Sequence, residues 1–341
     1  MNNILKPDEV NFGKTEIPVN STWDVMDATK IKTLMSCPRD FFYSYIMGWR
    51  HEGSSIHLAY GHAWHQAMEV LLTEGTTPEA VAKAYQSFLT DYVSQMEQEA
   101  DILQELHPSK TPSAAALGLA EYAKLWQDDP KETLHLEVSG TAPIDESGRV
   151  IHVKLDAIRR RKDGPNAGKI HSLEHKTTTR FTEAWQEQWH YDFQVGAYDH
   201  FLKCLYEPEE VEGVIINGAV FNKTSRKFPR FPIIRSNEMW EMWIYEANHW
   251  WNYLEMNMRH LYETSASDRV MVAFPRNSAS CSKFGCKHPQ LCCFKANPLQ
   301  RIETPPLGYK VDFWDPRERE KEAKEGKGGT TVSVKTTVSG T

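Results

Sequence analysis

Asp156, Glu174 and Lys176 are the residues in this chain whose types and spacing suggest chemistry first. Each acid sits beside an aliphatic neighbour, Asp156 after Leu155 and Glu174 after Leu173, and Lys176 follows Glu174 by two. Two carboxylates suit a hard divalent cation such as Mg2+ or Mn2+. A cation held there can activate water and stabilise charge on a phosphate, while an ammonium positions the nucleophile or neutralises developing charge. The competing reading is a surface salt-bridge ladder, Lys176 pairing with Glu174 along an exposed strand. Cys281, Cys286, Cys292 and Cys293 form a second group, spaced C-x4-C-x5-C with one further thiol adjacent. So dense a cluster in a reducing compartment signals metal or cluster ligation before disulfides. Three thiolates need a fourth ligand from elsewhere, and Cys37 is the natural candidate.

The elements that must position these groups can be read from period and punctuation. Residues 150–159 alternate with the period of a half-buried strand, 162–168 are rich in turn formers, and 169–176 form a second strand. A side-chain period of two puts Glu174 and Lys176 on one face and His175 on the other, and antiparallel pairing can lay Asp156 across from that face. A strand over 134–142 precedes them, joined by a hairpin turn at 145–148. Its Glu137 can project into the site or remain a solvated strand residue. A helix over 183–206 follows, with Gln194 and Tyr198 one turn apart on one face. A strand over 211–222, a hairpin partner over 228–234 and an aromatic-rich helix over 238–264 complete the core. Those aromatics can stack bases or pack on the sheet; packing suits most of them.

Upstream, a helix starts at Thr29 and a new one at Pro38, with Ser36 as its expected cap. A helix over 57–73, ended by Gly75, carries His65 and Glu69 one turn apart. Helices over 78–100 and 112–126, each opened by a Thr-Pro pair, read as packing elements of a helical insertion spanning about 77–128. Two basic loops, Arg159 to Lys162 and Lys223 to Arg230, are candidate phosphate contacts or solvated turns. Cys204 reads as core, and His51 and His62 fit no ligand pattern.

Asp156 with Glu174-His175-Lys176 resembles the signature of the PD-(D/E)xK nuclease superfamily. The Cys37-Pro38 pair before an aromatic-rich helix, Gly61-x-x-x-His65-x-x-x-Glu69 and Gln194-x-x-x-Tyr198 are similar to motifs of its RecB-like exonucleases. Cluster-bearing members, such as the AddB nuclease domain and the CRISPR-adaptation nucleases, share the pattern of one early and three late cysteines. The resemblance runs over about 36–294. It implies a restriction-endonuclease-like αβββαβ core with a helical insertion and a cysteine-clamped C-terminus. It further implies metal ligation by His65, Asp156 and Glu174, catalysis by Asp156, Glu174 and Lys176, and DNA contact or site support by Gln194 and Tyr198. Cys37, Cys281, Cys286 and Cys292 are the implied ligands of a [4Fe-4S] cluster. The first late gap is longer than the family's usual one, and Cys293 competes with Cys292 as third late ligand. Structural Zn2+ on four thiolates, or on three with His288, is the alternative metal.

The implied activity is Mg2+- or Mn2+-dependent hydrolysis of DNA from free ends, in recombination, repair or replication. The alternative is a catalytically silent DNA-binding or recombination-accessory protein that keeps the fold; a zinc-stapled scaffold is a third reading. The 341 residues read as an irregular arm (1–28), a nuclease domain (29–302, cysteine cluster 281–293) and a weakly ordered tail (303–341). Composition is that of a globular protein, 40% hydrophobic and 25% charged, with no membrane-length apolar run and no leader-like start, so a cytoplasmic location is expected. A net charge of −7 requires any DNA track to be locally basic.

Overall fold

The structure, a computed structural model of the chain, describes residues 17, 19–53, 55–96, 104–129, 131–281, 286–302, 304–318 and 330–333. Of the expected irregular arm, residues 17 and 19–28 are described and the others lie outside the described residues. The first elements are helix α1 (Ala28–Ser36), the short helix α2 (Pro38–Phe41), a π-helical turn (Phe42–Ile46) and strand β1 (Trp49–His51). Asp27 caps α1 by accepting from the Lys30 N–H. Pro38 opens α2, but Ser36 does not cap it: Ser36 is the last residue of α1, and Cys37 occupies the cap position. The Ser36 carbonyl instead accepts from Asn277 and Ser280, both at 2.8 Å, and so tethers the late cysteine segment.

Three longer helices follow: α3 (Ile56–Glu74), α4 (Pro78–Met96) and α5 (Pro112–Leu125). Gly75 ends α3 at φ +89°, a conformation that costs glycine little. Residues 97–100, expected to continue α4, lie outside the described residues. Tyr60, Trp64, Phe88, Tyr92 and Leu119 bury one face of this trio, together with Phe221 and Phe228 from the sheet. Burial of such apolar area is the main stabilising term, about 25 cal/mol per Å2 removed from water.

The sheet is built from β2 (Lys131–Pro143), β3 (Val150–Arg161), β4 (Ile170–Thr178), β5 (Val211–Phe221), β6 (Arg226–Lys227) and β7 (Arg230–Ile233). β2, β3 and β4 pair antiparallel in sequence order, and β5 pairs parallel with β4. A parallel neighbour needs a crossover, supplied by helices α6 (Glu183–Tyr191) and α7 (Phe193–Leu205). The result is a mixed α/β fold, consistent with the restriction-endonuclease-like type. The single helix expected over 183–206 is therefore two. Asp192 stands between them in extended backbone (φ −67°, ψ 128°) and caps α7 through the N–H groups of Gln194 and Val195.

Helix α8 (Asn237–Glu263) packs on α7 so closely that a Cβ on Gly196 would lie 2.2 Å from Trp243. Trp243 and Trp251 are buried there, so packing accounts for them, whereas Tyr245 is exposed. Short helices α9 (Ser278–Cys281) and α10 (Pro289–Phe294) carry late cysteines. Two further strands fall in the segment expected to be a weakly ordered tail: β8 (Tyr309–Val311) pairs with β1, and β9 (Thr330–Ser333) adds to β2 in parallel. Backbone pairing with an existing strand orders them without a large apolar face of their own.

Candidate active site

The β3–β4 ladder runs from Arg160↔Ile170 to Ala157↔Leu173 and stops there. The next residue on each strand is an acid, Asp156 on β3 and Glu174 on β4. β4 stays paired with β5 as far as Thr178, so the β3–β4 seam opens while Glu174 stays fixed. Asp156 occupies the opening. Its Oδ2 accepts from the His175 backbone N–H at 2.8 Å, where a strand carbonyl would otherwise stand. Its Oδ1 accepts from His65 Nδ1 at 3.0 Å. α3 delivers His65, and Gly61 one turn earlier brings that helix close to Thr177: a Cβ there would meet Thr177 Oγ1 at 3.5 Å.

Glu174 and Lys176 share a face, as the period of two requires, and pair at 2.7 Å. Lys176 Nζ also donates to Gln194 Oε1 at 3.0 Å, and Gln194 Nε2 donates to the Tyr198 hydroxyl at 2.6 Å. The Trp189 ring lies 5.3 Å from Nζ. The break at Asp192 puts Gln194 in the first turn of α7, from which it reaches Lys176. Glu174 is 2% exposed, and its Oε2 has no hydrogen-bond partner among the described residues.

Proton affinities diverge accordingly. Burial works against ionisation of Asp156, but the charges of His65 and His175 and the hydrogen bonds from both hold its carboxyl below the ordinary range. Burial and the Asp156 charge raise Glu174, against the opposing pull of Lys176 and His65. For His65, burial is outweighed by Asp156, and its proton is held more tightly than usual. For Lys176, burial is outweighed by Glu174, and the ammonium is retained. Glu174 is buried rather than on an exposed strand, and the two neighbouring acids shift in opposite directions.

His175 points away from this face. Its Nδ1 accepts from Asn217 Nδ2 at 2.7 Å, and burial lowers its pKa to about 3. Asn217 in turn accepts from Arg230 Nε at 2.8 Å and donates to the Tyr122 hydroxyl at 2.9 Å. None of these supports stood out in the sequence. The one available signal was Asn217 itself, a lone amide in the apolar run of β5. Glu137 lies on β2 between the pairs Leu136↔Ala157 and Val138↔Leu155, hence beside Asp156. It adopts φ +46°, unusual for a non-glycine strand residue, and pairs with Lys154 at 2.5 Å. Glu69 is near enough for burial and the charges of Glu137 and Asp156 to raise its pKa.

The cysteine segment docks on α2. Arg39 donates to the carbonyls of Phe274 and Met271, and His288 pairs with Asp40 at 2.8 Å. Burial raises Cys286, and burial raises Cys292 to about 11 against the pull of Arg39 and Arg276. The charges of Cys37 and Cys281 add to the rise at both Cys286 and Cys292. Cys293 is exposed, and Cys204 is packed against the core. Residues 282–285, between Cys281 and Cys286, lie outside the described residues. Among the described residues, no group of three or more His, Cys, Asp or Glu side chains is arranged to hold a metal ion. No helix among them is long and apolar enough to cross a membrane.

A family model described as the PD-(D/E)XK nuclease superfamily matches residues 26–292. No curated protein matches the chain. Among solved structures, the crystal structure of SSO0001 aligns over 69% of this chain and 78% of that chain, at 15% identity and a TM-score of 0.31.

Proposed function

The chain belongs to the PD-(D/E)XK nuclease superfamily, and from that premise we propose that it is a divalent-metal-dependent deoxyribonuclease that hydrolyses DNA from free ends. The observation that carries this reading is the buried Glu174 Oε2, without a partner among the described residues and next to the ionised Asp156. In this reading the donors would be carboxylate oxygens from Asp156 and Glu174, the type a hard cation prefers, with the imidazole of His65 beside them. Bound there, Mg2+ or Mn2+ would supply a more acidic water and charge neutralisation at the phosphate.

The chain's own groups do the rest. Lys176 keeps its proton on Nζ and is aimed by Gln194 Oε1, so it holds the attacking water or the phosphate oxygen that gains charge. Tyr198 fixes Gln194. Asp156 stays ionised because the His175 N–H and His65 both donate to it. His65 faces the same acids and would serve as an imidazole ligand if it gave up its bond to Asp156. Cys37, Cys281, Cys286 and Cys292 would be the ligands of a structural [4Fe-4S] cluster, with Zn2+ as the alternative. Such a group would join α2 to the segment after α8, which the Ser36, Arg39 and Asp40 contacts already bring together. Recombination, repair or replication is the setting that DNA-end hydrolysis serves.

One observation favours the second reading, a catalytically silent DNA-binding protein: both oxygens of Asp156 are engaged by protein donors. The discriminating experiment uses anaerobically purified protein with Mn2+ or Mg2+ on linear single-stranded, linear duplex and closed circular DNA, beside Lys176→Ala. Degradation of linear forms by wild type alone supports the nuclease. DNA binding without cleavage under either metal supports the silent reading.

A further inference from the structure

A cavity of about 380 Å3 opens between the C-terminal end of α3, the turn after α5 and the start of β2. Three cations converge on one carboxylate in it. Asp129 Oδ2 accepts from Arg159 at 2.7 Å and also from Arg230, and Lys131 Nζ stands 3.6 Å from Oδ1. None of the three cationic side chains is more than 9% exposed. On the rim, Lys162 adds a cation, and Glu132 faces Arg160 at 4.0 Å. Buried charge is costly unless it is matched, and one carboxylate does not match three cations.

Donors are also left over. Arg159 Nε and Trp126 Nε1 are buried and have no hydrogen-bond partner among the described residues, and both residues line the cavity. The Trp126 ring lies 3.8 Å from the Arg230 guanidinium and holds it in place. The local potential is positive: burial and the charges of Lys131, Arg159 and Arg161 lower the neighbouring His171 to about 3. The cavity is also wired to the candidate active site. Arg230 donates to Asn217, Asn217 to His175 Nδ1, and the His175 N–H to Asp156.

We propose that this cavity is a phosphate subsite, which holds a backbone phosphate of the nucleic-acid strand away from the scissile bond. The proposal rests on the nuclease reading for the identity of its ligand. It also places a local basic element in a chain of net charge −7, where broad electrostatic attraction to DNA is absent. An anchor joined through Asn217 and His175 to Asp156 would set the register of the strand at the acids.

The test uses the full chain, wild type beside Lys131→Met and Trp126→Phe. These remove a cation and a donor but leave Arg159 and Arg230 on Asp129. Thermal unfolding is followed with inorganic phosphate, against sodium chloride of equal ionic strength. Phosphate is expected to raise the wild-type Tm and to do so less in both variants. Binding of a single-stranded oligonucleotide in EDTA gives the second readout. Lys131→Met is expected to bind several-fold more weakly, with the slope of log K against log salt reduced by about 0.7. A wild-type Tm that phosphate leaves unmoved, or an unchanged slope in Lys131→Met, overturns the subsite. Wild-type cleavage of linear DNA, measured in parallel, keeps the two readings apart. A Lys131-dependent phosphate response without cleavage sustains the anion site while the nuclease reading fails, and cleavage without that response overturns the subsite alone.

Discussion

The acid site and the cysteine segment are both candidate metal centres, yet they are built on opposite terms. Asp156, Glu174 and Lys176 sit on two central strands where the seam between them opens, β3 held by β2 on its other side and β4 by β5. Their positions follow from backbone register, and their polar contacts run from 2.7 to 3.0 Å. The cysteines sit on helix ends and loops: Cys37 between α1 and α2, Cys281 at the end of a four-residue helix and Cys292 in a six-residue one. Ladders do not hold them; side-chain bonds from Arg39, Asn277, Ser280 and His288 do. A site on strands is organised before its ligand arrives. A site on loops gains much of its order from the ligand itself, because binding free energy is then also folding free energy.

The largest expected effect breaks the first region. Lys176→Ala should lower DNA hydrolysis by about 10^3-fold, the scale for losing one group aimed at developing charge, with Tm little changed. Single-turnover cleavage at saturating Mn2+ checks it. Glu174→Gln should lose about as much rate, and extra Mn2+ should restore part of it if the carboxylate is a ligand. The second region should behave in the reverse way. Cys37→Ser should cost bound metal, read as iron or zinc per chain, and lower Tm by about 5 °C or more, with a smaller loss of specific activity per folded molecule. Equal Tm and equal metal content would remove Cys37 from the ligand set.

Smaller effects sharpen the contrast. Gln194→Leu should slow cleavage by about 10-fold while DNA affinity holds, since it aims Lys176 rather than touching phosphate. The smallest concerns Asp129. Burial opposes its ionisation, but Arg230 and Arg159 lower its pKa from 3.8 to about 2. Its stabilising contribution is therefore fully present above 3.8 and lost as pH falls through about 2. Asp129→Asn should lose that slope, and chemical denaturation at several pH values from 5 down to about 2 would show it.

Much of the strand layout was legible because its signals are local. Alternation marked β3 and β4, turn residues marked the link between them, and a period of two put Glu174 with Lys176. The Gln194–Tyr198 spacing placed both side chains on one face of α7. The split at Asp192 was hidden, because an aspartate inside an amphipathic pattern reads as a solvated helix residue until its cap bonds are seen. β8 and β9 were hidden because their residues carry no strong apolar alternation.

The sequence by itself determined which groups can do chemistry here: two acids beside aliphatic residues, a lysine two residues on, a histidine one turn before Glu69, and a run of thiols. Residue type and local period depend only on near neighbours along the chain, so they survive without the fold. Only the tertiary structure decided where the β3–β4 ladder ends, and that point lets Asp156 accept from the His175 N–H. It also set Glu174 apart from Asp156 in proton affinity and gathered Lys131, Arg159 and Arg230 around Asp129. Each of these depends on burial and on partners distant in sequence, and no local pattern records the electrostatic cost of removing a charge from water.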